Sequence, residues 1–470
     1  MTSGHVAALD FGATSGRVIV GEVGAETLRM RQFARFANTP VEVEGRLHWN
    51  VLSLWRGALD GLAAAGREVP ELLSVATDTW GVDYGLLRAG RMLANPVHYR
   101  DERTAAAMTD VHQRMAPAEQ YRRAGIQTLP INTIYQLASD QETGLLDVAD
   151  TVLLMPDLFS YWLSGARVAE RTMASTTGLL NAQSREWDEA LVAASGIRAD
   201  LLPEIVDAGT ALGPLRADLA ADLGIRPQVL TIGAHDTASA VVATPMPPRG
   251  AAFISCGTWG LVGIEREKPV LTEEARRAGF TNESGVDGGY LLMRNAMGLW
   301  MLSESKRQWD AEGAAADLPE LLAAAAAVAA DMPVVDVDDP VFATPGGMPD
   351  RITRWCAERA LPVPQGPAEI VRCIIESLAA AFADAVGEAA RIAQSTLHQI
   401  NIVGGGSQNE LLCQRIADRS GLPVLAGPVE ATALGSILQQ ARTMGVLDGT
   451  IDDLRELVRR THTLRRHEPR

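Results

Sequence analysis

Residues 6–23, VAALDFGATSGRVIVGEV, decide the fold. Two apolar runs of strand length, VAALD and RVIVGEV, flank the short segment FGATSG. Such runs on either side of a glycine-containing turn predict an antiparallel β-hairpin. The turn carries Gly12, Thr14, Ser15 and Gly16, which are small enough to let backbone N–H groups approach an anion. We therefore expect a phosphate-binding turn in this hairpin.

A second copy of the pattern occupies residues 251–264, where AAFIS, CGTWG and LVGI follow one another. Two such hairpins, each opening a half of the chain, indicate a duplicated domain with one phosphate turn per half. The segment ATPMPPRGA, residues 243–251, is the best linker because prolines and a glycine interrupt regular structure. We predict an N-terminal domain of residues 1–244 and a C-terminal domain of residues 245–470.

Composition narrows the function classes. A chain of 470 residues is longer than one hydrophobic core usually covers, which agrees with two domains. The net charge of -16 disfavours a polyanionic partner, so we expect no nucleic acid. The longest apolar tract, residues 321–330, is too short for a bilayer, and residues 1–10 lack a basic region before an apolar one. We expect a cytoplasmic protein without a membrane partner.

The cysteines and lysines exclude further classes. The four cysteines lack CxxC spacing, so we expect most of them to be buried, reduced thiols: Cys256, Cys356, Cys373 and Cys413. Pairing of Cys356 with Cys373 is left open. The phosphate loop GxxxxGK[ST] is absent, and the lysines are Lys268 and Lys306 alone. If the protein binds ATP, Mg²⁺, backbone N–H groups and an arginine must hold the phosphates.

Three further segments indicate local structure. Residues 229–243, VLTIGAHDTASAVVA, predict a strand that ends at Gly233 and leads through Asp236 into a helix. Residues 399–418 predict a strand, a glycine turn and a helix that Ser407 or Asn409 can cap. Residues 369–394 have the spacing of a long buried helix.

Taken together, the motifs resemble the FGGY sugar-kinase family, within the actin-like and hexokinase-like group of ATPases. They are spread over nearly the whole chain: LDFGATSGR (9–17), HWN (48–50), TDTWGVD (77–83), YRDERT (99–104), GIQTLPINTIYQL (125–137), LLMPDL (153–158), ASTTGLLN (174–181), GAHDTASA (233–240), SCGTWGLVG (255–263), GGGSQN (404–409) and GPVEATALG (427–435). The resemblance implies an α/β fold of two ribonuclease-H-like domains around a central cleft that closes on its substrates.

The resemblance also implies an activity. The motifs are nearest to the branch that uses ATP and Mg²⁺ to phosphorylate the ketose L-rhamnulose at its C1 hydroxyl, in L-rhamnose catabolism. Another ketose, such as L-fuculose or L-xylulose, remains open as the substrate. A different class, an actin-like ATPase acting on a protein partner, is a further alternative. We expect ATP and a small-molecule ketose as partners, and a monomer or weak homodimer.

By this resemblance Asp236 is the catalytic base that accepts the proton of the reacting hydroxyl. The structural alternative is a helix-capping aspartate. His235 and Thr237 line the sugar, although a histidine in such a place can be purely structural.

The same resemblance places Asp10 near Mg²⁺, through water, whereas the structural alternative is a turn-forming aspartate. The β- and γ-phosphates are expected to contact the backbone and hydroxyl groups of five consecutive residues: Ala13, Thr14, Ser15, Gly16 and Arg17. Arg17 supplies a fixed positive charge, unless it is an ordinary strand-edge arginine.

The TDTWGVD motif is expected to select the sugar, because carboxylates bind hydroxyls and aromatic rings pack on sugar C–H faces. Gly81 would let the backbone approach the sugar, beside Trp80 and Asp83. The alternative is a buried strand with Trp80 in the core.

For the nucleotide, Thr258 is expected to bind phosphate in the second turn, beside Gly257, and Gly405 to pack under the adenosine. Asn295, in the segment RNAMGLW that we expect to open a helix, is a further nucleotide contact or a helix cap. The chain departs from some family members at Ser303, where they carry glutamine.

Overall fold

The computed structural model describes residues 3–313, 317–328 and 332–470. Its strands are β1 (Gly4–Phe11), β2 (Ser15–Gly24), β3 (Thr27–Ala37), β4 (Val41–Val43), β5 (Arg46–His48), β6 (Leu72–Thr79), β7 (Tyr84–Arg88), β8 (Arg91–Met92), β9 (Thr151–Leu154), β10 (Val168–Glu170), β11 (Glu204–Val206), β12 (Ala211–Pro214), β13 (Gln228–Leu230), β14 (Ala251–Cys256), β15 (Trp259–Arg266), β16 (Thr281–Ser284), β17 (Tyr290–Met297), β18 (Gln399–Val403), β19 (Val424–Ala426) and β20 (Arg465–His467).

The α-helices are α1 (Val51–Glu68), α2 (Thr104–Arg114), α3 (Pro117–Ala124), α4 (Thr133–Asp140), α5 (Leu145–Val148), α6 (Met155–Ser164), α7 (Arg171–Ser175), α8 (Glu189–Ser195), α9 (Ala217–Leu223), α10 (Asp236–Ala243), α11 (Glu273–Arg277), α12 (Trp300–Ala311), α13 (Leu318–Ala327), α14 (Met348–Glu358), α15 (Gly366–Ile392), α16 (Glu410–Ser420), α17 (Ala431–Thr443) and α18 (Ile451–Thr461). Among the residues that the structure describes, none of the helices combines the length and apolar character that crossing a bilayer requires. The ends of two segments used in the sequence analysis, residues 1–2 and 329–330, lie outside the described residues.

The chain divides into two compact units, and each consists of several segments. The first unit comprises Met1–Ala243, Glu265–Leu292 and Ala431–Thr461, and the second comprises Thr244–Ile264, Met293–Glu430 and His462–Arg470. A single cut of the chain does not separate these units, because two later segments, Glu265–Leu292 and Ala431–Thr461, pack with the first half of the chain. The predicted domains, residues 1–244 and 245–470, stay a prediction.

Helix α17 shows why a late segment joins the first unit. The Gln440 side chain donates to the Ala7 carbonyl at 3.0 Å and accepts from the Ser74 hydroxyl at 2.8 Å, so it ties α17 to β1 and β6. A Cβ at Gly435 would lie 1.8 Å from the Ser239 carbonyl oxygen. Glycine therefore lets α17 approach α10 at backbone distance.

Both predicted hairpins are confirmed, and they occupy the same place in their sheets. One sheet has the order β12-β13-β6-β1-β2-β3, and another has the order β16-β17-β15-β14-β18-β19-β20. Strand β1 pairs antiparallel with β2 and parallel with β6, and β6 pairs parallel with β13. Likewise β14 pairs antiparallel with β15 and parallel with β18, and β18 pairs parallel with β19. This repeated topology confirms the predicted two-domain α/β class.

Two predicted elements differ in their bounds. The long buried helix is confirmed as α15, which begins and ends a few residues before the prediction. The strand predicted to reach Gly233 ends at Leu230, in β13. The Gly233 N–H donates at 2.7 Å to the Gln439 side chain instead of a neighbouring strand, so the ladder stops before it.

Candidate functional site

Three backbone segments bring the main motifs of the first unit together. Asp10 of β1 and Asp78 of β6 are register partners in a parallel pair. The Thr79 N–H donates to the Ala234 carbonyl at 2.9 Å, and Thr79 also forms a parallel bridge with His235. Carboxyl ends of parallel strands are the usual place for ligand sites in α/β sheets. The motifs LDFGATSGR, TDTWGVD and GAHDT therefore meet at one edge.

Asp236 is the accessible carboxylate at this edge. It is the first residue of α10, and its side chain is 35% exposed. The buried Thr237 donates its hydroxyl to Asp236 Oδ1 at 3.1 Å. A carboxylate with an open face and a fixed backbone position can accept a proton from a bound hydroxyl.

His235 is buried between two carboxylates. Its Nδ1 lies 2.8 Å from Glu283 Oε2 and its Nε2 lies 3.4 Å from Asp236 Oδ1. Burial alone lowers the pKa of His235, but the carboxylates, Glu283 first, outweigh burial and raise this pKa to about 9. The ring is therefore an imidazolium at neutral pH, which neither predicted role for His235 anticipated.

Asp10, Arg17 and Asp78 form a charged cluster beside the first hairpin turn. Arg17 Nη2 donates to Asp10 Oδ2 at 2.6 Å across the β1–β2 pair. Both Asp78 carboxyl oxygens are buried without a hydrogen-bond partner in the part of the chain that the structure describes. Burial, and then the charges of Asp10 and Asp236, hold the pKa of Asp78 well above its ordinary value.

The first hairpin turn is held by a residue that the sequence did not single out. The predicted phosphate-binding residues span the turn and the start of β2: Ala13, Thr14, Ser15, Gly16 and Arg17. Asn38 donates its backbone N–H to the Thr14 carbonyl at 3.0 Å and its side-chain amide to the Gly12 carbonyl at 2.9 Å. A Cβ at Gly16 would lie 2.3 Å from the Phe36 ring, so packing already requires this glycine.

The Asp83 carboxylate lies beneath the turn that follows β6, and it is fully buried. Its Oδ2 accepts from the indoles of Trp49 at 2.6 Å and Trp80 at 2.9 Å, and its Oδ1 accepts from Gln136 at 2.9 Å. Burial raises the pKa of Asp83 to about 6, although these hydrogen bonds act in the opposite direction. Trp80 belongs to the hydrophobic core, as the structural alternative expected. The structure thus gives Asp83 a supporting position, and its sugar contact stays a prediction.

Gly81 lies in the same turn, against a threonine. A Cβ at Gly81 would lie 3.3 Å from Thr176 Cγ2, and the Val82 N–H donates to Thr176 Oγ1 at 3.2 Å. Val82 has a φ of 69°, and its carbonyl accepts from the Thr133 hydroxyl at 2.6 Å. These contacts fix the backbone of the turn that follows β6, and with it the position of Gly81.

In the second unit, Thr258 lies in a turn built from backbone contacts. The Leu299 N–H donates to the Gly257 carbonyl at 2.8 Å, and the Trp300 N–H donates to the Thr258 carbonyl at 3.3 Å. A Cβ at Gly298 would lie 2.5 Å from the carbonyl carbon of Trp259. The turn between β14 and β15 is therefore packed directly against the start of α12.

Gly405 is exposed and opens a 3₁₀ turn, Gly405–Gln408, directly after β18. A Cβ at the next glycine, Gly406, would lie 2.4 Å from Cys256 Sγ. The parallel pairing of β14 with β18 thus brings the GGGSQN motif close to the second hairpin turn. All four cysteines are buried free thiols, as predicted.

Two capping assignments need correction. Asn295 lies within strand β17, and α12 begins only at Trp300, so Asn295 neither opens nor caps a helix. The strand continues past Asn295 because the next two residues, Ala296 and Met297, are buried in the core. The predicted capping of α16 by Asn409 is confirmed, because its side chain accepts from the Leu412 N–H at 3.0 Å. Ser407 does not take this role, and its hydroxyl donates to the Gly404 carbonyl instead.

The sequence did not single out two buried glutamates, Glu170 and Glu283. Glu283 faces His235, and Glu170 Oε2 accepts from the Ala234 N–H at 3.2 Å and the Thr172 hydroxyl at 2.5 Å. Burial raises the pKa of Glu170 to about 7, against the hydrogen bonds that it accepts. One sequence feature could have indicated them: each is the one acidic residue of a short, otherwise uncharged strand. For Glu283 this strand is TNES, residues 281–284.

Comparison with known proteins agrees with this arrangement. Residues 5–243 match the N-terminal domain, and residues 252–444 the C-terminal domain, of the FGGY family of carbohydrate kinases. The chain is 36% identical over 467 residues to a rhamnulokinase of Bacteroides thetaiotaomicron, which covers 98% of this chain and 95% of that protein.

Solved structures share the fold at low identity. A xylulose kinase from Lactobacillus acidophilus superposes with a TM-score of 0.81 at 16% identity, covering 99% of this chain and 94% of that one. The Plasmodium falciparum glycerol kinase gives a TM-score of 0.79 at 14% identity, covering 98% and 94%. With both domains matched and a relative similar over nearly its full length, the chain belongs to the FGGY family of carbohydrate kinases.

Proposed function

We propose that this sugar kinase transfers the γ-phosphoryl group of ATP to the C1 hydroxyl of L-rhamnulose, giving L-rhamnulose 1-phosphate and ADP. The observation that carries the substrate assignment is the similarity, over 98% of the chain, to a protein named rhamnulokinase. The accessible carboxylate of Asp236 supplies the group that the chemistry needs. A role in L-rhamnose catabolism, in the cytoplasm where ATP is available, follows from this reaction.

In the proposed reaction Asp236 is the catalytic base. The C1 oxygen forms a bond to the γ-phosphorus, the bond from that phosphorus to the bridging oxygen breaks, and ADP leaves with the electron pair. Asp236 accepts the hydroxyl proton, which is the role that phosphoryl transfer to an alcohol requires. His235 and Thr237 flank this base, and they are proposed to line the sugar.

The turn after β6 is proposed to form the other side of the sugar site. Gly81 offers backbone without a side chain, in the turn that follows β6 and Asp78. The indoles of Trp80 and Trp49 share the Asp83 carboxylate, so Asp83 fixes the position of both rings. We therefore assign Trp80 and Asp83 to the substrate site as buried groups that support the turn on which the sugar would lie.

The charged cluster fits a Mg²⁺ ion that reaches the protein through water. No group of three or more His, Cys, Asp or Glu side chains within the described ranges is arranged to bind a metal directly. Mg²⁺ commonly keeps several waters and neutralises phosphate charge. Asp10 would hold such a hydrated ion, next to the buried Asp78. Arg17 and the N–H groups of residues 13–16 would bind the β- and γ-phosphates.

In the second unit we assign Thr258, Asn295 and Gly405 to the nucleotide. Gly257 and Gly405 are exposed, and Thr258 and Asn295 are half-buried. A phosphate at the second turn would meet backbone and hydroxyl groups rather than charges, since the segment SCGTWG carries none. Exposed backbone at Gly405 leaves room for a flat adenine ring to pack on it.

A ketose panel tests the proposal. ADP release from ATP and Mg²⁺ would be followed in a coupled assay with L-rhamnulose, L-fuculose, L-xylulose and no sugar. We expect kcat/KM to be highest for L-rhamnulose. A preference for another ketose would remove the substrate assignment and leave the kinase. ADP release that is independent of sugars and is stimulated by a protein partner would favour the actin-like alternative.

Sedimentation of the same sample tests the expected monomer or weak homodimer.

A further inference from the structure

We propose that Glu283 is a positioning residue of the phosphoryl transfer, which holds His235 so that the Nε2–H of its ring faces the catalytic base. This inference rests on the role proposed for Asp236 and extends it to a residue outside the sequence motifs. Glu283, His235 and Asp236 form a continuous chain, with separations of 2.8 Å and 3.4 Å between neighbouring polar atoms.

The chain is built on fixed backbone. Both neighbours of Glu283 are anchored: the Asn282 N–H donates to the Gly125 carbonyl at 2.8 Å, and the Ser284 N–H donates to Ser175 Oγ at 2.9 Å. The His235 N–H donates to Thr172 Oγ1 at 3.2 Å. Strand β16 and the start of α10 therefore present the two side chains to each other without a mobile loop.

The charges around His235 favour a ring with protons on both nitrogens. Three carboxylates on different elements face it: Glu283 of β16, Asp236 of α10 and Glu170 of β10. The side chains of His235 and Glu283 are each 9% exposed, so little water competes with their interaction. A neutral imidazole would offer one N–H and leave one of the two nearest carboxylates without a donor.

This arrangement selects one oxygen of the base. His235 Nε2 and the Thr237 hydroxyl both approach Asp236 Oδ1, at 3.4 Å and 3.1 Å. The Thr237 hydrogen bond and the positive charge of the His235 ring both act on Oδ1, and together they favour one rotation of a side chain that is otherwise partly exposed. Oδ2 is then the oxygen that accepts the proton of the ketose hydroxyl, and Glu283 acts on it only through His235.

The test compares Glu283→Gln, which removes the charge with little change of shape, with Glu283→Asp, which keeps the charge. Glu283→Gln should lower kcat about 10- to 100-fold, the range for losing a hydrogen bond to a charged group. The KM for the ketose should change by less than about threefold, because the variant replaces none of the residues that are proposed to contact the sugar. Glu283→Asp should recover a measurable part of kcat.

The pH profile separates positioning from a purely structural role. In the wild type His235 keeps its proton until about pH 9, because its pKa is raised, so activity should fall as the pH rises through that value. Burial lowers the pKa of His235, and the carboxylates raise it. Without the Glu283 charge, less remains to offset burial, so the pKa of His235 should fall. The alkaline limb should then move to lower pH by at least about one unit in Glu283→Gln.

Nuclear magnetic resonance of the His235 ring, without substrate, provides a readout that is independent of the kinase assay. The chain has 8 histidines, and the His235→Gln variant assigns the signal. Asp188 supplies the matched control, because it is a buried acidic residue that interacts with Leu191 and Arg123 and is not among the carboxylates that raise the pKa of His235. Asp188→Asn should leave the titration and the pH profile unchanged. If Glu283→Gln fails to fold, the wild-type titration decides instead: a His235 ring that loses its proton at or below its ordinary pKa would overturn the inference.

An unchanged His235 titration in a folded Glu283→Gln protein, or an unchanged kcat and alkaline limb, would overturn the inference. A wild type that phosphorylates no ketose would overturn the proposed function instead, and the His235 titration distinguishes the two failures.

Discussion

The two hairpin turns share one topology and differ in the charges around them. In each case an antiparallel pair, β1–β2 or β14–β15, is extended by a parallel strand, β6 or β18. The first turn is flanked by Asp10, Arg17 and Asp78. The second is flanked by Gly404, Gly406 and backbone carbonyls, and glycine is required there by close approach.

The difference shows that charge, rather than fold, separates the proposed roles of the two turns. A charged cluster at a strand end suits a metal ion and proton transfer, because both depend on fixed charges. A neutral turn with exposed backbone at Gly257 and Gly405 suits a nucleotide held by backbone groups. Three experiments, ordered from the largest expected effect to the smallest, examine this contrast.

Asp236→Asn should have the largest effect. It should lower turnover at least about 10²-fold, because an amide cannot accept the hydroxyl proton. Ketose binding, measured by calorimetry, should remain close to the wild-type value. Asp150→Asn, which alters a carboxylate of similar exposure, is the control and should keep wild-type turnover. Turnover of Asp236→Asn within threefold of wild type would remove Asp236 as the base.

Asp10→Asn should act through the metal ion. It should raise the Mg²⁺ concentration needed for half-maximal activity by about 10- to 100-fold, the usual cost of losing an outer contact to a metal site. Thr258→Val, which alters a hydroxyl at the neutral turn, should leave this requirement unchanged. An equal Mg²⁺ requirement in Asp10→Asn and the wild type would contradict the contrast between the turns.

Gly406→Ala and Gly405→Ala should separate packing from nucleotide binding. The Cβ of Gly406→Ala would overlap Cys256, so this variant should lose about 1–3 kcal/mol of unfolding free energy. At Gly405 the nearest atom to an added Cβ is Leu299 Cδ1 at 3.9 Å, so stability should hold. The Gly405→Ala protein should instead show a higher KM for ATP. Thermal melts and ATP titrations of both proteins check this, and an unaltered KM would remove Gly405 from the nucleotide site.

Much of the fold was predictable because it depends on local patterns. Apolar runs around FGATSG and CGTWG predicted both hairpins, and helical spacing predicted α15. The folding of residues 431–461 into the first unit was not predictable, because it depends on contacts such as Gln440 with Ala7 that join opposite ends of the chain. Asn295 was placed in a helix because its segment precedes one, and only sheet pairing shows that the strand continues.

The candidate site was predictable to the extent that its residues lie in motifs. Asp236 and Asp10 were assigned from the resemblance, whereas Glu283 and Asn38 act through long-range contacts that no local pattern reports. The burial of Asp83 was likewise hidden, since its indole donors Trp49 and Trp80 come from separate motifs. Local motifs mark the candidate residues, and packing decides which carboxylate stays accessible to solvent.

Phosphorus magnetic resonance of the reaction mixture tests the central claim most directly. With ATP, Mg²⁺ and L-rhamnulose, the wild type should produce ADP and a new phosphate monoester whose signal is split by the methylene protons at C1. The Asp236→Asn protein should produce neither within the same time. Release of inorganic phosphate alone, or a monoester without methylene coupling, would contradict the account.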